Sequence, residues 1–598
     1  MAEDFVRSME SVKSVNDLTK VRNPFQVLKC PWCGTTLTKK AVVPEGKKNR
    51  KLMGEWGYHM YHDHFVMACT QPQCPFSMQN GHLPLQVVDD ELYENPPTLL
   101  LATVDKFAMM AWYGSDISNF FGLGDEKRRA PELIIQDELH LISGALGTIV
   151  GLYETAIDFA CQQKGIKPKI VAATATARKA KEQCAELYNR DVFQFPPSGL
   201  AVEDSFFARE KPVDHQAPNR FGRKYVGLMP AGKTKSMAEI RHMAVLLELT
   251  RSMQDLGLTD AQMDMLWTLT VYFGSLRNLG HALSQVSDEV QSMVERIAKY
   301  LPAPIRSIPF ASELTSRVHT QRLVETLEHL EKDMYSSHPQ EGHWATNMLM
   351  ATNMISVGID VPRLNQMLVI GQPKLTSEYI QSTSRIGRSL PGVAFVSYNP
   401  TNSRDRSYYE QFKSFHQAFY RQVEPSVVTP FSIPALKRAL PAVVISMMWL
   451  SSPDIFSGAK DAIAFDEDDP VLQKKAESCK QFIQARVREA YERSQVLAPH
   501  EIEKDVQKIG QDVDRIFSQW SAEAAYDREN QKDLLFGKMK LDRWFSMEKT
   551  HLLQVTYEQA LRKKEKMEET GQNSWMSMTS MRNVDEELDG KLIFYRED

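Results

Sequence analysis

Residues 131–144 read PELIIQDELHLISG, a short apolar run that ends in two adjacent carboxylates, Asp137 and Glu138. Such a run is typical of a strand in a parallel sheet, whose carboxyl end commonly carries functional side chains. A carboxylate pair in this place is what nucleotide hydrolysis needs, because one carboxylate can hold Mg²⁺ through water while the other polarises the attacking water. Many strands end in such a pair, so the pair alone does not identify a nucleotide-hydrolysing site, and the neighbouring segments have to be examined.

Short β-branched or apolar runs alternate with helical patterns on both sides of this segment, from Pro97 to about Pro430. The runs are LLLATV, ELIIQD, KIVAATAT, KYVGLM, TLTVYFGS, NMLMATN, QMLVIGQ and AFVSYN. This alternation is typical of βαβ units and predicts an α/β fold with a parallel sheet covered on both faces. Residues 470–530 instead show apolar positions at three- and four-residue spacing, which predicts long amphipathic helices.

The composition of the 598 residues excludes wholesale disorder and favours several domains, since 42% of them are apolar and 25% are charged. The longest apolar run, residues 440–450, is shorter than the roughly 20 residues that cross a membrane, so we interpret it as buried core. The N-terminus shows no apolar signal segment. These features predict a cytoplasmic protein without membrane contact. The net charge of −5 restricts any nucleic-acid surface to a local groove.

Four of the seven cysteines form two close pairs, Cys30 and Cys33 in KCPWCG and Cys69 and Cys74 in CTQPQC. Two tight turns that each present two thiolates supply the tetrahedral ligand set that structural Zn²⁺ prefers. The alternatives are a redox CxxC motif, which would not need the second pair, and four unrelated buried cysteines. We therefore expect a structural zinc ribbon without catalysis, and we interpret the other three cysteines as core residues.

Further segments follow the DELH sequence in a fixed order. They are KIVAATATA at 169–177, TVYFGSLRNL at 270–279, ATNMISVGIDVP at 351–362 and QSTSRIGR at 381–388. Together with DELH, this set resembles motifs II to VI of the superfamily 2 helicases, and TVDKF at 103–107 resembles their motif Ib. The resemblance covers about residues 97–425.

Three other segments narrow the resemblance. They are the CPWCG insert upstream of motif Ib, ELTSR at 313–317 and SMRNVD at 580–585. All three are similar to the DrmA-like helicases of DISARM-type phage defence, whose C-terminal part this chain would represent.

The resemblance implies ATP and Mg²⁺ as cofactors and assigns roles motif by motif. Asp137 would hold Mg²⁺, Glu138 would act as general base, and His140 would couple the γ-phosphate to the second domain. Arg388 would be the cis arginine finger, which can be worth about 10³–10⁵ in rate. The other residues implied at the nucleotide or in bracing motif VI are Thr174, Thr176, Gly358, Asp360, Gln381 and Arg385.

Motif VI shows one departure from the family pattern, because Ser384 stands where the first glycine belongs. We expect a serine to be tolerated at this position, at the start of a helix. The alternative for Arg385 and Arg388 is a solvated helix start with no nucleotide role.

A two-domain motor of this kind follows the backbone of a nucleic acid, with DNA expected rather than RNA. Its contacts are charge-driven and largely independent of base sequence. The basic stretch at 47–51 is left open between contact with duplex and a solvated hairpin tip, which we prefer. The aromatic series at 408–419 has near-helical spacing, which favours a packed core face over a platform for base stacking. The implied nucleic-acid contacts are Thr103, Lys106, Arg277, Thr315, Arg317 and Thr352.

No GxxxxGK[ST] phosphate loop precedes the DELH sequence, and motif Ia is also absent. A formal match, GLMPAGKT at 227–234, follows an apolar strand and precedes an amphipathic helix, which is the context of a genuine phosphate loop. It stands between motifs III and IV, where the family enters its second domain. Lys233 and Thr234 are therefore left open as phosphate ligands or as a chance match. We prefer a split helicase, in which a partner chain supplies the phosphate loop and completes the first sheet.

The sequence thus predicts two RecA-like domains, the first incomplete, with an inserted zinc ribbon and a helical C-terminal region. The predicted function is an ATP-dependent translocase subunit of an antiphage complex, with further defence subunits possible, that is active only with its partner. The alternative is a catalytically degenerate, nucleic-acid-binding scaffold subunit. The predicted segments are an N-terminal segment (1–25), the zinc ribbon (26–96), the C-terminal part of RecA-like domain 1 (97–215), RecA-like domain 2 (216–430) and a helical domain (431–598).

Overall fold

The computed structural model of the chain describes residues 2–18, 20–21, 23–42, 51–125, 127–174, 180–197, 206, 222–301, 305–308, 311–318, 320–339, 344–356, 360–494, 497–537, 549–554, 575–578 and 580–581. Its strands, in chain order, are β1 (Lys40–Val42), β2 (Lys51–Met53), β3 (Tyr58–Tyr61), β4 (His64–Met67), β5 (Leu133–Gln136), β6 (Lys169–Ala172), β7 (Arg223–Leu228), β8 (Leu269–Phe273), β9 (Ser312–Leu314), β10 (Met348–Ala351), β11 (Gln366–Ile370), β12 (Gly392–Ser397), β13 (Asp533–Gly537), β14 (Lys549–Gln554) and β15 (Trp575–Met576).

The α-helices, in chain order, are α1 (Ala2–Glu10), α2 (Val15–Leu18), α3 (Asp89–Glu94), α4 (Asp105–Ala108), α5 (Gly114–Ser118), α6 (Gly144–Gln162), α7 (Ala180–Tyr188), α8 (Lys235–Ser252), α9 (Asp260–Trp267), α10 (Leu276–Gln285), α11 (Gln291–Ala298), α12 (Thr320–Lys332), α13 (Thr376–Thr383), α14 (Ser403–Glu410), α15 (Phe412–Gln417), α16 (Ile433–Ser451), α17 (Pro470–Ser494) and α18 (Pro499–Glu529).

The chain forms two units, each discontinuous in sequence. Unit 1 comprises the described residues of Met1–Leu18, Lys29–Phe195 and Pro425–Asp598, and unit 2 those of Thr19–Leu28 and Pro196–Glu424. The C-terminal helices therefore belong to the same unit as the DELH sequence. The predicted domain boundaries stay predictions.

Unit 2 is built on a six-stranded parallel sheet with the order β7-β12-β11-β8-β10-β9. Strands β8, β10 and β11 are buried along their whole length, because helices cover both faces of a parallel sheet. Leu269, Val271 and Phe273 pack into the core on one face, whereas Tyr272 belongs to the core on the other. Parallel pairing brings the carboxyl ends of all six strands to one edge, from which motif IV, motif V and the helix α13 that leads to motif VI continue.

The predicted α/β fold with a parallel sheet is confirmed, and seven of the eight apolar runs contain a strand. The strand predicted for the run LLLATV was wrong. This run forms no strand, and Leu99 and Leu101 are 71% and 87% exposed. No described strand pairs with this segment, and Val104 is the residue of the run that packs against the core. Strand β9, only three residues long, gave no apolar signal and was not predicted.

The core of unit 1 forms where α6 packs against α16, with α17 and α18 beside them. The helix α16 contains the long apolar run, which is buried as expected. By length and composition α16 is also the one described helix that could cross a membrane, and 72% of its most apolar window is buried inside the protein. The helices expected at 470–530 are α17 and α18. A small parallel sheet, β13-β14-β15, follows them and was not predicted.

Trp449 of α16 anchors this core. Its ring stacks on Phe536 with centroids 3.8 Å apart, and its Nε1–H donates a hydrogen bond of 2.7 Å to the carbonyl of Phe456. The indole also lies against Gly114, where a Cβ would stand 2.4 Å from Cδ2 of Trp449. The absence of a side chain at Gly114 is therefore required for this contact.

The sheet of unit 1 has two described strands, β5 and β6, paired in parallel with Ile135 opposite Val171. Ile134 and Ile170 pack against the core. The other face is open, since Leu133, Ile135 and Val171 are 53%, 64% and 44% exposed. We call this surface, formed by Leu133, Ile135 and Val171, the open face.

We predict that Gly114→Ala destabilises the protein, because the new methyl group must displace the indole of Trp449. Overpacking of this kind costs about 1–3 kcal/mol, which thermal or denaturant unfolding measures. The matched control is Gly458→Ala, where the nearest atom to a Cβ is Asp461 Oδ2 at 3.7 Å. Equal stability of the two variants would contradict this packing.

Candidate functional site

The carboxylates of motif II follow directly on β5. Asp137 is exposed, and its Oδ1 accepts a hydrogen bond of 2.9 Å from the N–H of Glu138. Glu138 adopts the left-handed conformation, with φ of +49°, which is uncommon for a residue other than glycine. The next N–H, of Leu139, donates to the carbonyl of Ala173 beyond the end of β6 at 2.9 Å. The turn thus leaves the sheet sharply while it stays tied to the neighbouring strand.

One histidine connects motif II to motif III. The Nδ1 atom of His140 lies 3.3 Å from Glu138 Oε2 and 3.4 Å from Thr174 Oγ1, and the His140 side chain is only 6% exposed. These contacts restrict the rotation of the Glu138 carboxylate, a useful property in a general base. Thr176, the other motif III residue predicted to lie at the nucleotide, is outside the described residues.

Motif V and motif VI meet in unit 2 through an ion pair. Asp360 Oδ1 lies 2.7 Å from Arg388 Nη1, with side chains 61% and 35% exposed. Such a pair is what bracing of motif VI by Asp360 would require, and the role itself stays a prediction. Gln381 of α13 is buried to 8% exposure, and Gly358 lies outside the described residues.

The arginines of motif VI do not begin a helix, so that expectation was wrong. Helix α13 ends at Thr383, and Arg385 and Arg388 lie beyond its carboxyl end. Ser384 has φ of −70° and ψ of −10°, angles that any residue adopts, which explains why a serine can replace the usual glycine. Gly387 is the constrained position, because its φ is +62° and a Cβ would stand 2.9 Å from the nitrogen of Gly392.

The start of α13 is held by a residue that the sequence did not suggest. Both carboxylate oxygens of Glu424 accept the N–H of Thr376 at 2.9 Å, and Glu424 Oε1 also accepts the Thr376 hydroxyl at 2.9 Å. A carboxylate at a helix N-terminus satisfies free N–H groups and complements the helix dipole. Glu424 stands far downstream of α13, so no local pattern could have identified it.

Two of the implied nucleic-acid contacts are cations already held by carboxylates. Lys106 Nζ lies 2.5 Å from Asp89 Oδ1 and 5.0 Å from the ring centre of Tyr93. Arg317 Nε lies 2.5 Å from Glu313 Oε1. An anion would have to compete with these partners, so nucleic-acid contact by either residue stays a prediction.

The other implied contacts differ in exposure. Thr103 and Arg277 are exposed, at the start of α4 and in the first turn of α10. Thr315 and Thr352 are buried beyond the ends of β9 and β10, and the N–H of Thr352 donates to the carbonyl of Leu314 at 3.4 Å. Thr315 and Thr352 therefore lie where the ends of β9 and β10 are connected, at the edge of the sheet.

The four paired cysteines come together in unit 1. Their Sγ atoms all lie within 4.8 Å of one another, with 4.0 Å between Cys30 and Cys74 and 3.4 Å between Cys33 and Cys69. A tetrahedron with Zn–S bonds of about 2.3 Å needs sulfurs roughly 3.8 Å apart. Hydrogen bonds from Thr35 lower the pKa of Cys33 to about 6, whereas burial raises the pKa of Cys69 to about 12 and also raises that of Cys74, so the distances between the sulfurs carry the argument for zinc. The cluster therefore fits a zinc ion.

The GLMPAGKT segment follows β7, which is an edge strand with β12 as its single neighbour. Thr234 is the N-cap of α8, and its side chain accepts the N–H of Met237 at 3.3 Å. Lys233 belongs to unit 2, whereas Asp137 belongs to unit 1. This separation favours the chance match, because a phosphate loop has to lie in the same sheet as the motif II strand.

Comparison with known proteins adds the family relationship. Residues 293–389 match the family described as the helicase conserved C-terminal domain. The DISARM protein DrmA of Bacillus paralicheniformis (strain ATCC 9945a) is 38% identical over 464 residues, which are 72% of this chain and 39% of that protein. The chain thus spans well under half the length of this curated relative.

Among solved structures, the DUF1998 helicase MrfA bound to DNA is similar over 60% of this chain and 40% of its own, with a TM-score of 0.39 and 16% identity. The helicase Lhr of Mycobacterium smegmatis, bound to single-stranded DNA and AMP-PNP, is similar over 62% of this chain and 42% of its own. Its TM-score is 0.39 and its identity is 12%.

Proposed function

This chain belongs to the superfamily 2 helicases and is a homologue of the DISARM protein DrmA, and from this premise we propose that it is the motor subunit of an ATP-dependent DNA translocase in antiphage defence. The proposed motor works in the cytoplasm, with further defence subunits as partners. It follows DNA through backbone contacts, which do not depend on base sequence.

The observation that carries this proposal is the arrangement beyond β5 and β6. Asp137 reaches solvent at the carboxyl edge of a parallel sheet, and Glu138 is held beside it by the histidine that also contacts Thr174. Carboxylate oxygens fit Mg²⁺, which takes one or two of them together with water. When bound, Mg²⁺ would neutralise charge on the phosphate oxygens, and Glu138 would accept the proton of the attacking water.

We further propose that a partner polypeptide carrying a phosphate loop packs on the open face. Parallel sheets are covered on both faces, and here three apolar side chains, Leu133, Ile135 and Val171, are exposed on one of them. No described strand pairs with the outer edges of β5 and β6, so strands of the partner can extend the sheet. A strand–loop–helix segment would then bring a phosphate loop to the edge that carries Asp137.

The zinc ribbon is the third part of the proposal, with Zn²⁺ held by Cys30, Cys33, Cys69 and Cys74. Four thiolates leave no coordination position open, so the ion is structural.

We predict that hydrolysis depends on Glu138 in the assembled complex and not on Lys233. Glu138→Gln should abolish nucleic-acid-stimulated ATP turnover while nucleotide binding persists, because an amide cannot accept the proton of water. Lys233→Ala should change turnover little. The assay is ATP hydrolysis with single-stranded DNA after copurification with a polypeptide that contains GxxxxGK[ST]. If the isolated chain hydrolyses ATP and Lys233→Ala abolishes this turnover, the proposal that a partner supplies the phosphate loop is contradicted. If the complex binds DNA but does not hydrolyse ATP, the scaffold alternative is favoured.

The open face gives a separate prediction. Ile135→Glu should prevent copurification of the phosphate-loop polypeptide, because a charge would be buried without a partner in the interface. The thermal stability of the isolated chain should stay unchanged, since Ile135 is 64% exposed. The matched control is Val471→Glu, at a position 56% exposed on α17. If the phosphate-loop polypeptide copurifies with the Ile135→Glu variant at the wild-type level, the open face is ruled out as its binding surface.

Metal analysis of the purified protein tests whether the zinc ribbon binds zinc. The purified chain should contain about one zinc per molecule, and Cys30→Ser or Cys69→Ser should lose the ion and destabilise the ribbon, because thiolate ligation contributes folding free energy. Cys184→Ser, at a buried cysteine outside the cluster, serves as the control and should keep its zinc. A double Cys30→Ser/Cys69→Ser variant with full zinc content would disprove the site.

A further inference from the structure

A buried tyrosine connects three helicase motifs within unit 2. Tyr272, in the motif IV strand β8, is fully buried, and its hydroxyl lies 2.7 Å from Asn353 Oδ1 and 2.5 Å from Glu378 Oε1. Asn353 belongs to motif V, just beyond the end of β10. Glu378 lies in the first turn of α13, the helix of motif VI. One hydroxyl thus joins a strand, a turn and a helix.

The direction of these hydrogen bonds follows from proton count. A phenol has one proton to donate, and the carboxylate of Glu378 is a stronger acceptor than an amide oxygen. Asn353 then donates through its amide nitrogen, since the two amide positions are distinguished only by their hydrogen-bond partners. Burial and the nearby Glu378 raise the pKa of Tyr272 well above its usual range, so the hydroxyl keeps its proton at physiological pH.

The two ends of this chain of hydrogen bonds lie in different surroundings. Asn353 is exposed and follows Thr352, which is bonded to the end of β9 through the carbonyl of Leu314. Glu378 is partly buried and precedes Gln381 by one helical turn, on the same helix. The motif V turn also packs directly on α13, and the two hydrogen bonds of Tyr272 add a directional connection between the exposed Asn353 and Glu378 of that helix.

Helix α13 is anchored independently on other sides. Glu424 holds its N-terminus, and the hydroxyl of Tyr379 lies 2.8 Å from Nε2 of His416. These contacts involve neither Tyr272 nor the residues of motif V. The bond between Tyr272 and Glu378 is distinct from them because it ties α13 to the motif IV strand β8 and, through Asn353, to the start of motif V.

We propose that Tyr272 is a positioning residue that couples nucleic-acid contact at the motif V turn to the motif VI helix through Glu378. Tyr272 itself contacts neither DNA nor nucleotide. The proposal rests on the proposed motor function, because it needs a nucleic acid at the Asn353 turn and a nucleotide at the arginines beyond α13. It adds the residue through which one site influences the other.

Amide hydrogen exchange of the full chain, with and without a single-stranded DNA oligonucleotide, tests this coupling without ATP turnover. In the wild type, DNA should slow exchange at residues 344–356 and also at α13, residues 376–383. In Tyr272→Phe, slowing at 344–356 should persist and slowing at α13 should be lost, because the ring remains and the hydrogen bonds disappear. A purely structural role would alter both segments without DNA and leave their response to DNA intact.

The matched control is Tyr398→Phe. Tyr398 is also fully buried in unit 2, and its hydroxyl has no hydrogen-bond partner among the described residues, so its removal should leave the response of both segments unchanged. In the assembled complex, Tyr272→Phe should reduce the stimulation of ATP turnover by DNA about tenfold or more, whereas Tyr398→Phe should not reduce it.

A second variant covers the case in which Tyr272→Phe folds poorly. Glu378→Leu keeps a side chain of similar size and removes the acceptor of the Tyr272 hydroxyl, so it should cause the same loss of response in α13. If DNA still slows exchange at α13 in both variants, the coupling role is overturned. If DNA slows exchange in neither segment of the wild type, the proposed nucleic-acid function fails, and the coupling fails with it. If DNA slows exchange in the wild type at residues 344–356 but not at α13, only the proposed coupling is contradicted.

Discussion

Parallel pairing of strands is the constraint on which the rest of this structure depends. In unit 2 it places the carboxyl ends of β8, β9, β10 and β11 at one edge, so motif IV, the ELTSR segment, motif V and the start of helix α13 converge although they are far apart in sequence. Strands β8, β10 and β11 are short and buried on both faces. Burial of these apolar side chains stabilises the sheet, and the position of the functional residues follows from it.

In unit 1 parallel pairing also positions the functional residues, but helices from a distant part of the sequence support the strands. The inner face of β5 and β6 packs on a core to which α6, α16, α17 and α18 contribute, so helices from the C-terminal third of the chain support the strand that carries Asp137. Substitutions in that core, far from motif II in sequence, can therefore disturb the motif II turn. The outer face lacks such a cover among the described residues, and this asymmetry distinguishes the sheet of unit 1 from that of unit 2.

The sequence predicted what depends on local pattern and failed where distant residues decide. The strands around Asp137 and motif IV were predictable from apolar runs, and the Cys30 to Cys74 quartet from its spacing. LLLATV has the right composition for a strand but no neighbour to pair with, which no local pattern reveals. The end of α13 before Arg385, the support of α13 by Glu424 and the contact of Tyr272 with Glu378 all depend on tertiary packing, so the sequence alone could not supply them.

The same reasoning explains why a formal motif match is not sufficient for chemistry. A phosphate loop and a Mg²⁺-binding carboxylate must be fixed relative to each other within a few ångströms, and hydrogen-bonded strands of a single sheet provide that rigidity. Asp137 follows β5 and Lys233 follows β7, which belong to different sheets in different units. No strand pairing therefore fixes the distance between them. A phosphate loop delivered by strands that extend the β5-β6 sheet would meet the requirement, and the open face is where the helices beside such strands would pack.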